Sequence, residues 1–137
     1  MVMPKPKRAP QPAPAVAWLA APQPHDFPAA AAYLMLLAPD EQVSTLIEAL
    51  HSARTTRHKA KDLLRASRLP LLDMQNVHVG SDLAKIAAGQ PLSPVLLVRG
   101  DLLSGTPLHI ADGYHRVCAS YHTDENTDIP CRLVRAR

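Results

Sequence analysis

Ile110-Ala111-Asp112-Gly113-Tyr114-His115-Arg116-Val117-Cys118-Ala119 is the stretch on which the reading of this chain turns. The end of an apolar strand runs into Asp112-Gly113, and a helix begins at once with His115 and Arg116 in its first turn. Gly113 permits a tight turn and close backbone approach. The first N–H groups of a helix lack intrahelical partners and carry partial positive charge. Arginine adds a planar fork that matches a phosphate or carboxylate. The chemistry expected of this turn is therefore anion binding, through Gly113, His115 and Arg116. Further along, Tyr114, Val117, Cys118 and Tyr121 fall at i, i+3, i+4 and i+7 and form the core face of the helix. Cys118 is accordingly expected to be a small buried hydrophobe.

Upstream of the turn, Pro94-Val95-Leu96-Leu97-Val98 is a continuous apolar run, expected as a central strand. It should pair with Leu108–Ala111 as an antiparallel hairpin across residues 100–107. Downstream, the helix is expected to end near His122, before an acidic loop at Thr123–Asp128. A last strand, Ile129–Val134, comes after it, with Ile129, Cys131 and Leu133 alternating. Ser81 is expected to cap a helix over Asp82–Ala88 that Gly89 stops, with Gln75–Gly80 as loop and Leu69–Leu72 as a short strand.

Residues 26–68 read as all helical. Asp26 caps a helix through Ala29–Leu37. Pro39 opens a second, with Val43, Leu46, Ile47 and Leu50 at helical spacing to about Ala53. A third, Arg57–Ser67, buries Ala60, Leu63 and Leu64. Residues 1–25 hold Pro4, Pro6, Pro10, Pro12, Pro14, Pro22 and Pro24 and read as an extended, disordered tail, with Trp18-Leu19 as the candidate for docking. The organisation expected is a tail (1–25), an all-helical segment (26–68) and an α+β domain with a small mixed sheet (69–137).

Composition bounds the function. The 137 residues suffice for one core and carry a net charge of +3. Cys118 and Cys131 show no CxxC spacing, which argues against a zinc site or a disulfide framework and fits a reducing, cytoplasmic setting. The longest apolar run, Pro28–Pro39, is too short to cross a membrane, and the first 25 residues have no continuous apolar signal region. Basic residues gather at Lys5, Lys7 and Arg8. They gather again at Arg57, Lys61, Arg65 and Arg68, at i, i+4, i+8 and i+11 of the third expected helix. That stripe is either a solvated face or a contact for DNA phosphates or an acidic partner. His109, His115 and His122 lack the spacing of a shared metal site.

The second half of the chain resembles the ParB/sulfiredoxin-like superfamily over about residues 69–134. The resemblance is carried by Leu71-Leu72, the helix ending at Gly89, Leu92-Ser93-Pro94-Val95-Leu96-Leu97-Val98, Leu108 to Ala119, and Ile129-Pro130-Cys131-Arg132-Leu133-Val134. It implies a bacterial, cytoplasmic fold that binds a nucleoside di- or triphosphate with Mg²⁺, or another phosphate-bearing ligand. The ParB motif Gly-Glu-Arg-Arg-x-Arg-Ala is matched at Gly113, Arg116 and Ala119. Tyr114 replaces its acid and Cys118 its last arginine. The helix-turn-helix that succeeds this domain in ParB is not expected within a chain ending at Arg137. Sulfiredoxins carry a thiol where Tyr114 stands, so sulfinic acid reduction is not expected. Free serine kinases of this fold use an Asp-Gly-x-His/Thr-Arg turn, which Asp112-Gly113-Tyr114-His115-Arg116 is most similar to.

Three functions are thus expected in order. The first is a binding or regulatory module for a nucleotide or phosphate. The second is a phosphotransferase or nucleotide hydrolase using ATP or ADP. In it His115 serves as acid/base, Asp112 holds Mg²⁺ through water, and Asp73 or Asp82 is the general base. The third is a DNA-associated protein acting through the basic helix 57–68. Association as a homodimer or with a protein partner stays open.

Overall fold

The computed structural model describes residues 15–136; the proline-rich start with Lys5, Lys7 and Arg8 lies outside the described residues. Nine elements stand in chain order: α1 (Asp26–Leu34), α2 (Asp40–Ser52), β1 (Thr55–Lys59), α3 (Ala60–Ser67), α4 (Val77–Ala87), β2 (Val95–Val98), β3 (His109–Asp112), α5 (Tyr114–Thr123) and β4 (Asp128–Val134). The four strands form one mixed sheet in the order β1-β4-β2-β3. β2 runs antiparallel to β3 and parallel to β4, and β1 runs antiparallel to β4.

The continuous apolar run in β2 is explained by helices on both faces of the sheet. Val95 and Leu97 point into a core built with α3, α4 and α5. Leu96 and Val98 point into a second core built with α1 and α2. Alternate residues of one strand thus serve two cores, and all four residues of β2 are buried. Phe27, Ala30 and Leu34 of α1 and Val43, Leu46 and Leu50 of α2 supply the second core. Arg132 of β4 ties α2 down, donating from Nη1 to the carbonyls of Leu50 (3.2 Å) and His51 (2.7 Å).

The α+β class and the β2–β3 hairpin stand as expected, but segment 26–68 is not all helical. Thr55–Lys59 is an edge strand, where a helix from Arg57 was expected. Two β-branched threonines favour the extended backbone. The exposed Arg57 and Lys59 suit an edge that must not pair with another chain. Helix α3 therefore starts only at Ala60, so Arg57 does not share a helix with Lys61 and Arg65, and Arg68 is the left-handed residue that ends it (φ 58°). Leu69–Leu72 joins no strand. It is a connection held on α5 by the Tyr114 hydroxyl, which donates to the Pro70 carbonyl, and by His122 Nε2, which donates to the Leu72 carbonyl.

Two helix boundaries also move. Helix α1 begins at Asp26 and ends at Leu34, leaving Met35–Leu37 as an exposed turn. Helix α4 begins five residues before the expected Asp82. Asn76 is its cap, accepting from the His78 and Val79 N–H groups at 3.0 and 3.2 Å. The far end of the expected tail is tied to the core. Leu19 N–H donates to the Leu92 carbonyl at 2.8 Å, Leu92 N–H donates to the Ala17 carbonyl at 2.9 Å, and Trp18 packs on the first core.

Candidate functional site

The pairing of β2 with β3 is irregular at its end: Leu96 faces Asp112 and Leu97 faces Ile110, so β3 carries one extra residue there. Such a bulge bends the strand and re-aims the side chains beside it. Directly beyond it Gly113 takes a φ of 109° and opens α5 with no side-chain cap. A Cβ at Gly113 would lie 2.8 Å from Val95 Cγ2 and 2.9 Å from Arg116 Nη2. Only glycine fits both that backbone and that space.

The uncapped first turn of α5 faces α4. Counting from His78, the residues His78, Ser81, Asp82 and Lys85 stand at i, i+3, i+4 and i+7 and share one helix face. They meet Asp112, Gly113, His115 and Arg116 around a polar pocket of about 250 Å³. The expected ligand-binding residues Gly113, His115 and Arg116 are thus brought together with Asp112. Of the two acids expected as a general base, Asp82 joins them. Asp73 does not: it sits in an exposed turn and accepts the Gln75 N–H at 2.7 Å. His109 bonds Tyr33 across to α1 (2.9 Å) and His122 bonds Leu72, so neither belongs to the pocket.

Arg116 is turned largely inward. Its Nη2 donates to Asp112 Oδ2 at 2.9 Å and to the Pro94 carbonyl at 3.2 Å, and its Nε is buried without a partner. The two side chains are only 16% and 17% exposed. Burial pushes the Asp112 carboxyl above its ordinary range. Arg116 opposes the shift, and Asp26 of α1, itself buried, adds to it. An inward pair of this kind holds the strand-to-helix turn in shape. The acidic partner of Arg116 is Asp112, four residues back, and not an acid of the loop after α5.

The wall from α4 is less constrained. Burial also raises the Asp82 carboxyl, against the pull of Arg116, Lys85, His115 and His78. The His78 and His115 rings lie tilted with centroids 4.8 Å apart. Burial and then His78 hold His115 below the ordinary imidazole value, while Asp82 pulls the other way. Among the described residues no group of three or more His, Cys, Asp or Glu side chains is placed to hold a metal ion. The Asp112 oxygen nearest Arg116 is already occupied. The thiols take no part. Cys118 and Cys131 are buried, burial raises both, and Cys131 is pushed up to about 12.

The expected basic stripe lies elsewhere. Lys61, Arg65 and Arg68 line a separate groove beside Leu69–Leu71 and Tyr121, and Arg57 is not among its lining residues. No protein-family model, curated protein or solved structure matches this chain at a significant level. No helix among the described residues is long and apolar enough to cross a membrane.

Proposed function

We propose that the pocket between α4 and α5 binds the phosphate end of a nucleotide or similar ligand, making this chain a ParB-like binding or regulatory module. One observation carries the reading. The uncapped N-terminus of α5 and the cationic or hydrogen-bonding side chains Lys85, His78, His115 and Ser81 converge on one polar pocket. Free N–H groups and the helix dipole favour an anion there. The pocket's 250 Å³ falls below the ~300–1,000 Å³ usual for a whole drug-sized ligand. It suits one or two phosphate groups, with the rest of the ligand outside. In this reading Arg116 is a positioning residue that shapes the turn, and Lys85 is the cation that meets the ligand.

A second reading, phosphoryl transfer from ATP or ADP, is favoured by Asp82. This carboxylate makes no hydrogen bond or ion pair among the described residues, has a raised pKa, and lies in the same pocket as His115 and Lys85. A base with a raised pKa is better matched to neutral pH than an ordinary carboxylate.

Thermal unfolding in the presence of nucleoside di- and triphosphates, with and without Mg²⁺, tests the binding reading. A ligand at a hundredfold its Kd adds about 2.7 kcal/mol, so a bound nucleotide raises the midpoint visibly. Lys85→Ala and His115→Ala should abolish the rise without lowering the ligand-free midpoint greatly. No shift with any nucleotide or with inorganic phosphate overturns the proposal. Transfer of phosphate to a hydroxyl acceptor, lost in Asp82→Asn while binding persists, would favour the second reading.

A further inference from the structure

The groove along α3 is built and open. Lys61, Arg65 and Arg68 form its cationic side, with Leu64, Leu69 and Tyr121 on its apolar side, around about 530 Å³. Leu69 is 36% exposed and Leu71 40% exposed. The Leu69–Leu72 connection that makes one wall is strapped to α5 by the Tyr114 and His122 hydrogen bonds. Among the described residues Lys61 and Arg68 make no ion pair, and Arg65 shares only an exposed contact with Asp62. A floor of aliphatic side chains under a cationic rim fits a partner segment that displays apolar and acidic side chains close together. Nucleic-acid bases prefer aromatic platforms, and Tyr121 is the sole aromatic residue lining this groove.

The chain itself displays such a segment. Between α1 and α2, Leu36 is 82% exposed and Leu37 55% exposed. Three residues on, Asp40 and Glu41 open α2, both exposed. The turn is fixed rather than loose: Leu36 N–H donates to the Tyr33 carbonyl and Leu37 N–H to the Leu34 carbonyl. Contiguous exposed leucines favour an interaction site. The other such pair, Leu102-Leu103, has a single acidic neighbour, Asp101, which is turned back to accept the Leu103 N–H, whereas Asp40 and Glu41 both face outward. The segment belongs to the α1/α2 face of the sheet and the groove to the α3/α5 face, so the two do not satisfy each other within one chain.

We propose that the groove of one copy receives the Leu36–Glu41 segment of a second copy. Leu36 and Leu37 would enter against Leu64, Leu69 and Tyr121, while Asp40 and Glu41 would meet Lys61, Arg65 and Arg68. The contact joins unlike surfaces, head to tail. It is independent of the phosphate pocket.

Sedimentation of the full chain over a wide concentration range tests this. The average mass should rise with concentration and fall again with added salt, because the rim charges are exposed. Lys61→Glu with Arg65→Glu, and separately Asp40→Lys with Glu41→Lys, should each weaken association at least about tenfold, which is about 1.4 kcal/mol. Mixing these two charge-reversed proteins should restore a complex, since the reversed segment then matches the reversed groove. Leu36→Ser tests the apolar half and, unlike the Asp40 and Glu41 changes, leaves the charge at the start of α2 intact. Monomer mass at every concentration overturns the proposal. So does association that both charge-reversed proteins retain. A monomer that binds an oligonucleotide, and loses it in Lys61→Glu with Arg65→Glu, also overturns it and assigns the groove to nucleic acid.

Discussion

The two cation-bearing regions on either side of α5 put their charges to opposite uses. In the pocket, Arg116 is mostly buried and bonded to Asp112 and to the Pro94 carbonyl. In the groove, the Arg65 side chain is 84% exposed and touches Asp62 at 3.2 Å. The first arrangement belongs to the protein's own architecture. The second leaves its charge available to something outside. A buried, bonded ion pair is costly to break from one side, whereas an exposed one is worth ~0–1 kcal/mol. Substitutions in the pocket floor should therefore register as stability, and substitutions in the groove as binding.

The largest expected effect comes from breaking the inward pair. Arg116→Leu leaves Asp112 buried beside Asp26 with no cation, at a cost of about 3 kcal/mol. Urea unfolding measures it. Leu at both positions, Arg116→Leu with Asp112→Leu, should recover a good part of the loss, because the uncompensated carboxylate goes too. Equal stability of wild type and Arg116→Leu would erase the distinction between the two regions. Arg65→Ala is the matched control, expected within about 0.5 kcal/mol of wild type.

Gly113→Ala is expected to come next, at about 2 kcal/mol. The added methyl meets Val95 on one side and the Arg116 guanidinium on the other, at a φ that alanine avoids. The same substitution at Gly89 shares the positive φ but meets nothing within 4 Å. The difference between the two variants in urea isolates the crowding beneath Arg116 from backbone strain. Equal costs would mean that the turn has room to move.

Half of the pocket was legible in the sequence and half was not. Asp112-Gly113 between an apolar strand and an amphipathic helix announces a turn with a free helix N-terminus, and β2, β3, α5 and β4 emerge from runs and alternation of apolar residues. The α4 half, apart from Asp82, was hidden by Asn76 and Gly80, which look like loop. Starting the helix at Asp82 turns Ser81 into a cap and leaves His78 outside. With Asn76 as the cap, Val79, Leu83 and Ile86 mark the buried side, and His78, Ser81, Asp82 and Lys85 become the polar face that adjoins it. Thr55–Lys59 was missed for a different reason. An edge strand with one wetted face and basic side chains carries little apolar alternation, and its basic residues happen to continue the spacing of the helix after it. The Leu69–Leu72 run shows the converse, an apolar stretch that packs on a helix without pairing in a sheet.

The smallest effect expected is also the one that separates the regions by pH. Burial holds native His115 below its unfolded value of about 6.5. The unfolded chain thus takes up its proton first on acidification. The stability that His115 contributes is complete above pH 6.5 and is lost as pH falls through that value toward the depressed native one. Asp82 acts in the opposite sense. Its native carboxyl is raised above 3.8, so its contribution is present below the unfolded value and lost as pH rises through the native one. For a single group the slope cannot exceed about 1.4 kcal/mol per pH unit. Urea midpoints measured from pH 8 down to 5.5 should fall more steeply for wild type than for His115→Gln, while Arg65→Ala should track wild type. A bound phosphate favours the imidazolium and should flatten the wild-type slope. If wild type and His115→Gln trace parallel curves with and without phosphate, His115 does not sense the pocket, and the contrast between an inward-turned site and an outward-facing groove rests on Arg116 alone.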